Sequence, residues 1–188
     1  MKQYEKQLSS ELIFDGRVVR LFRDRVEIPD GRIAVREVVR HPGAVAVAPV
    51  TEDGKVIMVR QFRYPFSRVM LEVPAGKLDG DEDPLSAAKR ELSEETGAEA
   101  STWRYLGEFD STVAIMDERI HLYAAEGLTF HEQHPDEGEF LTVEAIPLEE
   151  LYGMVMAGEI RDGKTQAILL KLWCLRQEKT SEKKDSGR

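Results

Sequence analysis

Glu91, Glu94 and Glu95 fall within one short run, Arg90-Glu91-Leu92-Ser93-Glu94-Glu95, inside a stretch from Gly76 to Ala98 that carries seven acidic side chains in twenty-three residues. Carboxylates at that density can gather a hard divalent cation, because Mg²⁺ takes oxygen ligands and is commonly held by one or two carboxylates together with substrate phosphates. Whether they converge depends on the backbone beneath them. Asp83 suits a helix N-cap, Pro84 the first helical position and Gly97 the position just past the end, so the reading is a helix over Pro84 to Thr96. On that helix Leu85, Ala88 and Leu92 form the apolar stripe, Glu91 and Glu95 lie four apart along its edge, and Glu94 turns further toward solvent.

Like charges at that spacing destabilise a helix by roughly a few tenths of a kcal/mol, and Glu94 and Glu95 oppose the helix dipole at its C-terminal end. Arg90 offsets part of this by pairing with Glu94 one turn on. A sequence that keeps such a local conflict points to a site. The preceding "EVPAG" ends a strand in a glycine-containing loop, from which a backbone carbonyl such as that of Ala75 can add a ligand. The spacing alone does not displace the plainer reading, a solvated and salt-bridged helix face.

The elements around the stretch are read from periodicity. "RVVRLFRDRVEI" and "RIAVREVVR" alternate apolar and polar residues about Pro29-Asp30-Gly31, the pattern of a hairpin. "HPG" at His41 to Gly43 marks a boundary, giving an N-terminal β element over 1–42 and a main domain over 43–178. That domain opens with "AVAVAPV", the turn "TEDG" and "KVIMVRQFRY", a second hairpin with a buried first strand. Further strands fall at "VMLEVPAG", "WRYLGEF", "RIHLYAAEGL" and "EFLTVEAIP", and helices at about Leu148 to Ala157 and Lys164 to Gln177. The class is α+β, a mixed sheet covered by helices, followed by a polar tail over 179–188 that is expected to be disordered.

At 188 residues with 32% charged residues the chain has the profile of a globular protein with a real core. The net charge of −9 disfavours non-specific attraction to nucleic acid or an acidic membrane, so a phosphate-bearing substrate needs cations supplied locally. One cysteine, Cys174, excludes an intrachain disulfide or a multi-cysteine zinc site, and its expected role is packing in the last helix. The expected location is cytoplasmic, since no apolar run reaches membrane-spanning length and the first residues lack a signal-peptide core.

Read as a pattern, the acidic stretch is Gly76, five residues, Glu82, seven residues, Arg90-Glu91-Leu92, one residue, Glu94-Glu95, one residue, Gly97-Ala98. This resembles the Nudix box of the Nudix hydrolases, with Ala98 a smaller apolar residue than usual at the last position. The resemblance implies a Nudix fold, an α/β/α sandwich around a mixed sheet, and hydrolysis of a nucleoside diphosphate linked to another group with Mg²⁺ or Mn²⁺. It implies Glu91 and Glu95 as principal metal ligands, Glu94 as a further or water-mediated one and the Ala75 carbonyl as another. Arg90 would orient the glutamates and Glu82 would support the loop.

"REVVRHPGAVAV", "VRQFRYP", "LEVPAGKLD", "IHLYAAEGL" and "DGKTQAILLKLW" extend the likeness to the ADP-ribose pyrophosphatase branch, which also cleaves other nucleoside diphosphate sugars. There an N-terminal sheet element exchanges between two subunits, so a homodimer is implied. Arg63 matches a substrate-binding arginine and Glu72 a residue of a pocket-lining strand, while the acidic loop "HPDEGEF" places Glu137 as catalytic base and Glu139 as a further metal-side carboxylate, or the two exchanged.

The sequence departs from that branch at one place. The branch carries a proline sixteen residues after the last glycine of the box, in a segment resembling S-P-G-x-x-D-E; here Val113 and Ala114 stand for the proline and glycine, with Asp117 and Glu118 in place and Glu118 matched to substrate binding. The loop is therefore expected to take another path, and an ADP- or GDP-linked hexose is the alternative substrate. A non-catalytic nucleotide-sugar sensor is the alternative from another class, disfavoured because all three box glutamates are present. His41, His121, His131 and His134 have no metal-ligand spacing, Trp103 and Trp173 read as packing aromatics, and Phe22 is a candidate to stack on a base.

Overall fold

The structure, a computed structural model, describes residues 3–134, 138 and 140–185, with side chains described up to residue 178. The chain divides into two compact units, Met1–Gly43 with Asp110–Arg119, and Ala44–Phe109 with Ile120–Arg188.

The first unit is built on an antiparallel sheet in the order β1 (Lys6–Asp15), β2 (Arg20–Glu27) and β3 (Ile33–Arg40). β2 and β3 are the hairpin expected from the alternation, turning at Gly31 with φ of 85°. β1 is a strand the sequence reading left out. Its register shifts between Gln7 and Ser9 and between Leu12 and Phe14, which breaks the two-residue period, and all ten of its residues are exposed. Polar bonds tie it down instead: Gln7 and Ser10 both donate to the buried carboxylate of Asp24, at 2.9 and 2.6 Å, and Arg40 donates to the same group at 3.0 Å.

Asp110–Arg119 joins this unit although it lies far along the chain. Val39 donates to the Ile115 carbonyl at 2.8 Å, and Asp117 takes bonds from Arg40 at 3.1 Å and from the His41 amide at 2.8 Å. The segment that lacks the branch proline is thus laid along the end of β3, with Val113 82% exposed.

The second unit contains a mixed sheet in the order β7 (Ala75–Lys77), β4 (Ala44–Pro49), β9 (Arg119–Phe130) and β8 (Ala98–Asp110), in which β4 runs parallel to β9 and antiparallel to β7. β4 is buried on both faces. Its valines, Val45 and Val47, pack with Ala87, Ala88 and Leu92 of α1 (Pro84–Thr96) and with Tyr123 and Ala125 of β9. Its alanines, Ala44, Ala46 and Ala48, face the larger core, formed with α2 (Leu148–Met156), α3 (Gly163–Asp185) and a second sheet in the order β10 (Leu141–Pro147), β5 (Lys55–Arg63) and β6 (Arg68–Glu72).

Helices on both faces of a mixed sheet make the expected α/β/α sandwich. α3 continues to Asp185, beyond the Gln177 read from the apolar period, because its last turns are written in polar residues that carry no stripe. Cys174 is exposed on this helix, not packed as expected. Trp173 does pack, stacking on Tyr152 of α2 at 4.5 Å between ring centres.

Candidate active site

α1 forms where its caps predict. Asp83 accepts from the Ser86 amide at 3.0 Å, Pro84 opens the helix, and Gly97 closes it in the left-handed conformation with φ of 66°. The helix buries Ala87, Ala88 and Leu92, while Leu85 is only half-buried. Glu95 is 4% exposed, deeper than the edge position read from the helical wheel. It is kept there by a partner: one of its oxygens accepts from the Ala75 amide at 3.0 Å, at the start of β7.

Gly76 is the contact point between β7 and α1. A Cβ at this position would overlap the Glu91 carboxylate, so the absence of a side chain is what lets Glu91 lie against the β7 backbone. Gly97 serves a second purpose of the same kind. A Cβ there would strike the carbonyl of His131, and the His131 amide donates to the Gly97 carbonyl at 2.7 Å while the His134 amide donates to that of Glu94 at 3.1 Å. The chain leaving β9 is therefore laid along the last turn of α1. Glu137 and Glu139, named from the sequence as base and further carboxylate, lie outside the described residues.

Arg90 is the hub of the acidic stretch. Its Nε and Nη2 grip the two oxygens of Glu82 at 3.2 and 3.0 Å, Nη2 also donates to the Lys77 carbonyl at 3.1 Å, and Nη1 reaches Glu91 at 2.8 Å and Glu94 at 3.0 Å. A planar fork with five donors is suited to this, since a lysine has neither the reach nor the geometry. The carboxylates raise the guanidinium pKa, Glu82 most of all, and Arg90 in turn lowers that of Glu82. Like charges that would repel on α1 are thus held by one cation, as the i to i+4 pairing of Arg90 with Glu94 anticipates.

Among the described residues no three acidic, histidine or cysteine side chains are already gathered as a metal cluster. The donor set nonetheless suits a hard divalent cation: carboxylates of Glu91, Glu94 and Glu95 on one helix, with Glu95 bonded to the Ala75 amide and Glu91 against Gly76, and with every donor an oxygen. Gly76 leaves the room that such an approach of carboxylate to backbone needs.

Arg63 and Glu72 meet in the same unit. Two nitrogens of Arg63 bond the two oxygens of Glu72 at 2.7 and 2.8 Å, and Lys164 adds a third bond at 2.5 Å. Burial opposes ionisation of Glu72, which is 2% exposed, but the bonds and charges of Arg63 and Lys164 outweigh it and hold the pKa at about 2. Both cations line a cavity of about 240 Å³ with Pro65, Phe66 and Asp162. Sequence reasoning named Arg63 and Glu72 but missed Lys164. Its signal was Asp162, an N-cap type placed three residues before Thr165, which puts Lys164 in the first turn of α3.

A model described as the NUDIX domain matches residues 39–168, and one described as the nucleoside diphosphate sugar hydrolase N-terminal domain matches residues 5–39. The chain belongs to the Nudix family. Similar curated relatives include an ADP-ribose pyrophosphatase of Bacillus subtilis (strain 168), 44% identical over 86% of this chain and 88% of its own. A methanol dehydrogenase activator of Bacillus methanolicus is 45% identical over the same shares. An ADP-ribose pyrophosphatase of Mycobacterium tuberculosis is 40% identical over 81% of this chain and 75% of its own. A solved structure described as an ADP compounds hydrolase superposes with a TM-score of 0.82, covering 94% of this chain and 96% of that one at 21% identity, a likeness of Nudix fold.

Glu118 and Phe22 belong to the first unit. Glu118 stands 3.6 Å from a ring nitrogen of His41, and the guanidinium groups of Arg20 and Arg40 stand 5.7 and 5.9 Å from the centre of the Phe22 ring. His121 sits 3.3 Å from the Tyr105 hydroxyl and 3.9 Å from Glu108, in a polar cluster on β8 and β9. Among the described residues no helix is long and apolar enough to cross a membrane.

Proposed function

We propose that this Nudix protein hydrolyses the pyrophosphate bond of ADP-ribose to AMP and ribose 5-phosphate, with Mg²⁺ or Mn²⁺ as cofactor. The observation that carries the reading is the Arg90 hub, which presents Glu91 and Glu94 beside Glu95 and the Ala75 backbone. The names of relatives at 40–44% identity support the choice of ADP-ribose. A divalent cation bound there would polarise the pyrophosphate and favour a hydroxide nucleophile. Glu91, Glu95, Glu94 and the Ala75 carbonyl would hold it.

Arg90 bridges Glu91 and Glu94 through Nη1 and offsets their mutual repulsion with its own charge. Arg63 and Lys164 supply two cations to a cavity that Glu72 and Asp162 also line, and the Arg63 nitrogen not committed to Glu72 would meet a phosphate oxygen. Glu137 and Glu139 are assigned as base and further carboxylate from the resemblance alone. Glu118 is assigned to the substrate on the same ground.

The working form is a homodimer, supported by the exposed apolar side chains of β1, and the location is the cytoplasm, in keeping with a lone cysteine. No nucleic acid or membrane partner is invoked.

Release of AMP from ADP-ribose by purified protein with Mg²⁺, with and without chelator, tests the reading. Metal-dependent AMP with ribose 5-phosphate is the expected result. A second reading, hydrolysis of an ADP- or GDP-linked hexose, is favoured by Val113 and Ala114 at the positions of the branch proline and glycine. Turnover of such a hexose without turnover of ADP-ribose would replace the first reading.

A further inference from the structure

β6 pairs with β5 as far as Glu72 opposite Val59, and the chain then runs through Val73 and Pro74 to Ala75 at the start of β7. These three linking residues are each held by one bond to a different element. The Val73 amide donates to Thr165 Oγ1 of α3 at 3.0 Å, the Pro74 carbonyl accepts from the Val47 amide of β4 at 2.9 Å, and the Ala75 amide donates to Glu95 of α1 at 3.0 Å. Val73 is 1% exposed and lies beyond the strand ladder, so its N–H has no access to water as an alternative.

Thr165 is fully buried and its hydroxyl is directional. The proton is committed to Asp162 Oδ2 at 2.6 Å, which leaves a lone pair of Oγ1 for the Val73 N–H. Asp162 is fixed in turn by the Thr165 amide at 3.0 Å and by Lys164 at 2.9 Å. Capping α3 does not require this hydroxyl, because the Asp162 side chain already takes the Thr165 amide and its carbonyl takes the Gln166 amide at 3.0 Å. The hydroxyl therefore serves the segment opposite, not its own helix.

We propose that Thr165, oriented by Asp162, is a positioning residue that sets the Glu72–Ala75 segment and through it the Ala75 carbonyl at the cation site. The inference rests on the assignment of Ala75, Glu91 and Glu95 to a divalent cation. It makes the first turn of α3, ninety-two residues along the chain from Val73, a support for metal binding that touches neither metal nor substrate.

The test is direct titration of the full chain with Mn²⁺ alone, following the free ion by its electron paramagnetic resonance. Thr165→Val keeps the volume and the helix cap and removes the acceptor; its Mn²⁺ affinity is expected to fall about tenfold or more, whereas Thr165→Ser stays close to the unmodified protein. Wild-type affinity in Thr165→Val, alongside weakened binding in Glu95→Gln, would overturn the positioning role and leave the cation site standing. Equal binding by the unmodified protein and Glu95→Gln would overturn the cation site and this inference with it. If Thr165→Val does not fold, Thr165→Cys against Thr165→Ser makes the same comparison with a weaker acceptor of similar size, and equal Mn²⁺ affinity in those two would overturn the role.

Discussion

Gly76 and Glu91 share one volume: the carboxylate lies where a β-carbon on residue 76 would stand. The contact joins the edge strand β7 to α1, and it is made without any conformational demand, since the φ of Gly76 is not in the left-handed region. The glycine is there for space alone. Gly76→Ala should therefore fold, because β7 is a three-residue edge strand whose pairing with β4 survives a methyl group, yet it must push Glu91 aside. Metal-dependent hydrolysis is expected to fall on the order of 100-fold, with circular dichroism unchanged. Full activity would show that Glu91 need not sit against β7.

Glu95 is buried and holds the Ala75 amide, so its replacement tests charge separately from packing. In Glu95→Gln the side-chain carbonyl can still accept from Ala75, and the lost charge lies within a cluster that is already acidic. Stability should change by no more than about 1.5 kcal/mol. kcat should drop about 100-fold or more, and the Mn²⁺ requirement should rise. A variant that is inactive and unfolded would instead mark Glu95 as a structural acid.

Which parts of this were legible beforehand follows from which forces are local. α1 could be read to the residue because Asp83, Pro84 and Gly97 act on their own turns, and β4 as a buried strand because it is six apolar residues in a row. The hairpin expected between β4 and β5 does not form: the two strands lie in different sheets, and their stretches pair at the isolated Val50–Val56 bridge. The glutamates could be named, but not the depth of Glu95, which depends on a bond to residue 75 that no helical wheel contains. β1 was hidden by its two register shifts and by bonds to Asp24 that link residues fourteen and seventeen apart. The attachment of Asp110–Arg119 to the N-terminal unit was hidden for the same reason: Arg40 and Asp117 stand seventy-seven residues apart. The Lys164 and Thr165 bonds cross ninety-two residues.

Glu72 predicts a pH dependence whose sign is fixed by its partners. Its folded pKa of about 2 lies below the ordinary value of 4.5, so ionised Glu72 favours the folded state at every pH above 4.5. That contribution, on the order of 3 kcal/mol, is lost as the pH falls from about 4.5 through about 2. Denaturant unfolding of the unmodified protein and of Glu72→Gln should show a stability gap that is constant from pH 7 to 5 and narrows toward pH 2. A gap that widens in acid would mean that Glu72 is protonated in the folded protein.

β1 presents Leu8, Leu12, Ile13 and Phe14 to solvent with exposures of 40–57%, and it is an edge strand with no neighbour on one side among the described residues. Edge strands with exposed apolar side chains invite pairing unless they are protected by charge or bulges, and the two register shifts of β1 make a simple strand-to-strand extension poor. Side-chain burial is then the route by which a second copy would cover it. Leu12→Glu with Phe14→Glu removes apolar area without touching the Asp24 node that holds β1 to β2. Light scattering should show a dimer for the unmodified chain and a shift to monomer for the double variant, with the midpoint of thermal unfolding becoming independent of concentration. An unmodified chain that is monomeric at every concentration would remove the dimer from the proposal and leave the Arg90 hub and its glutamates, all on one chain, as they stand.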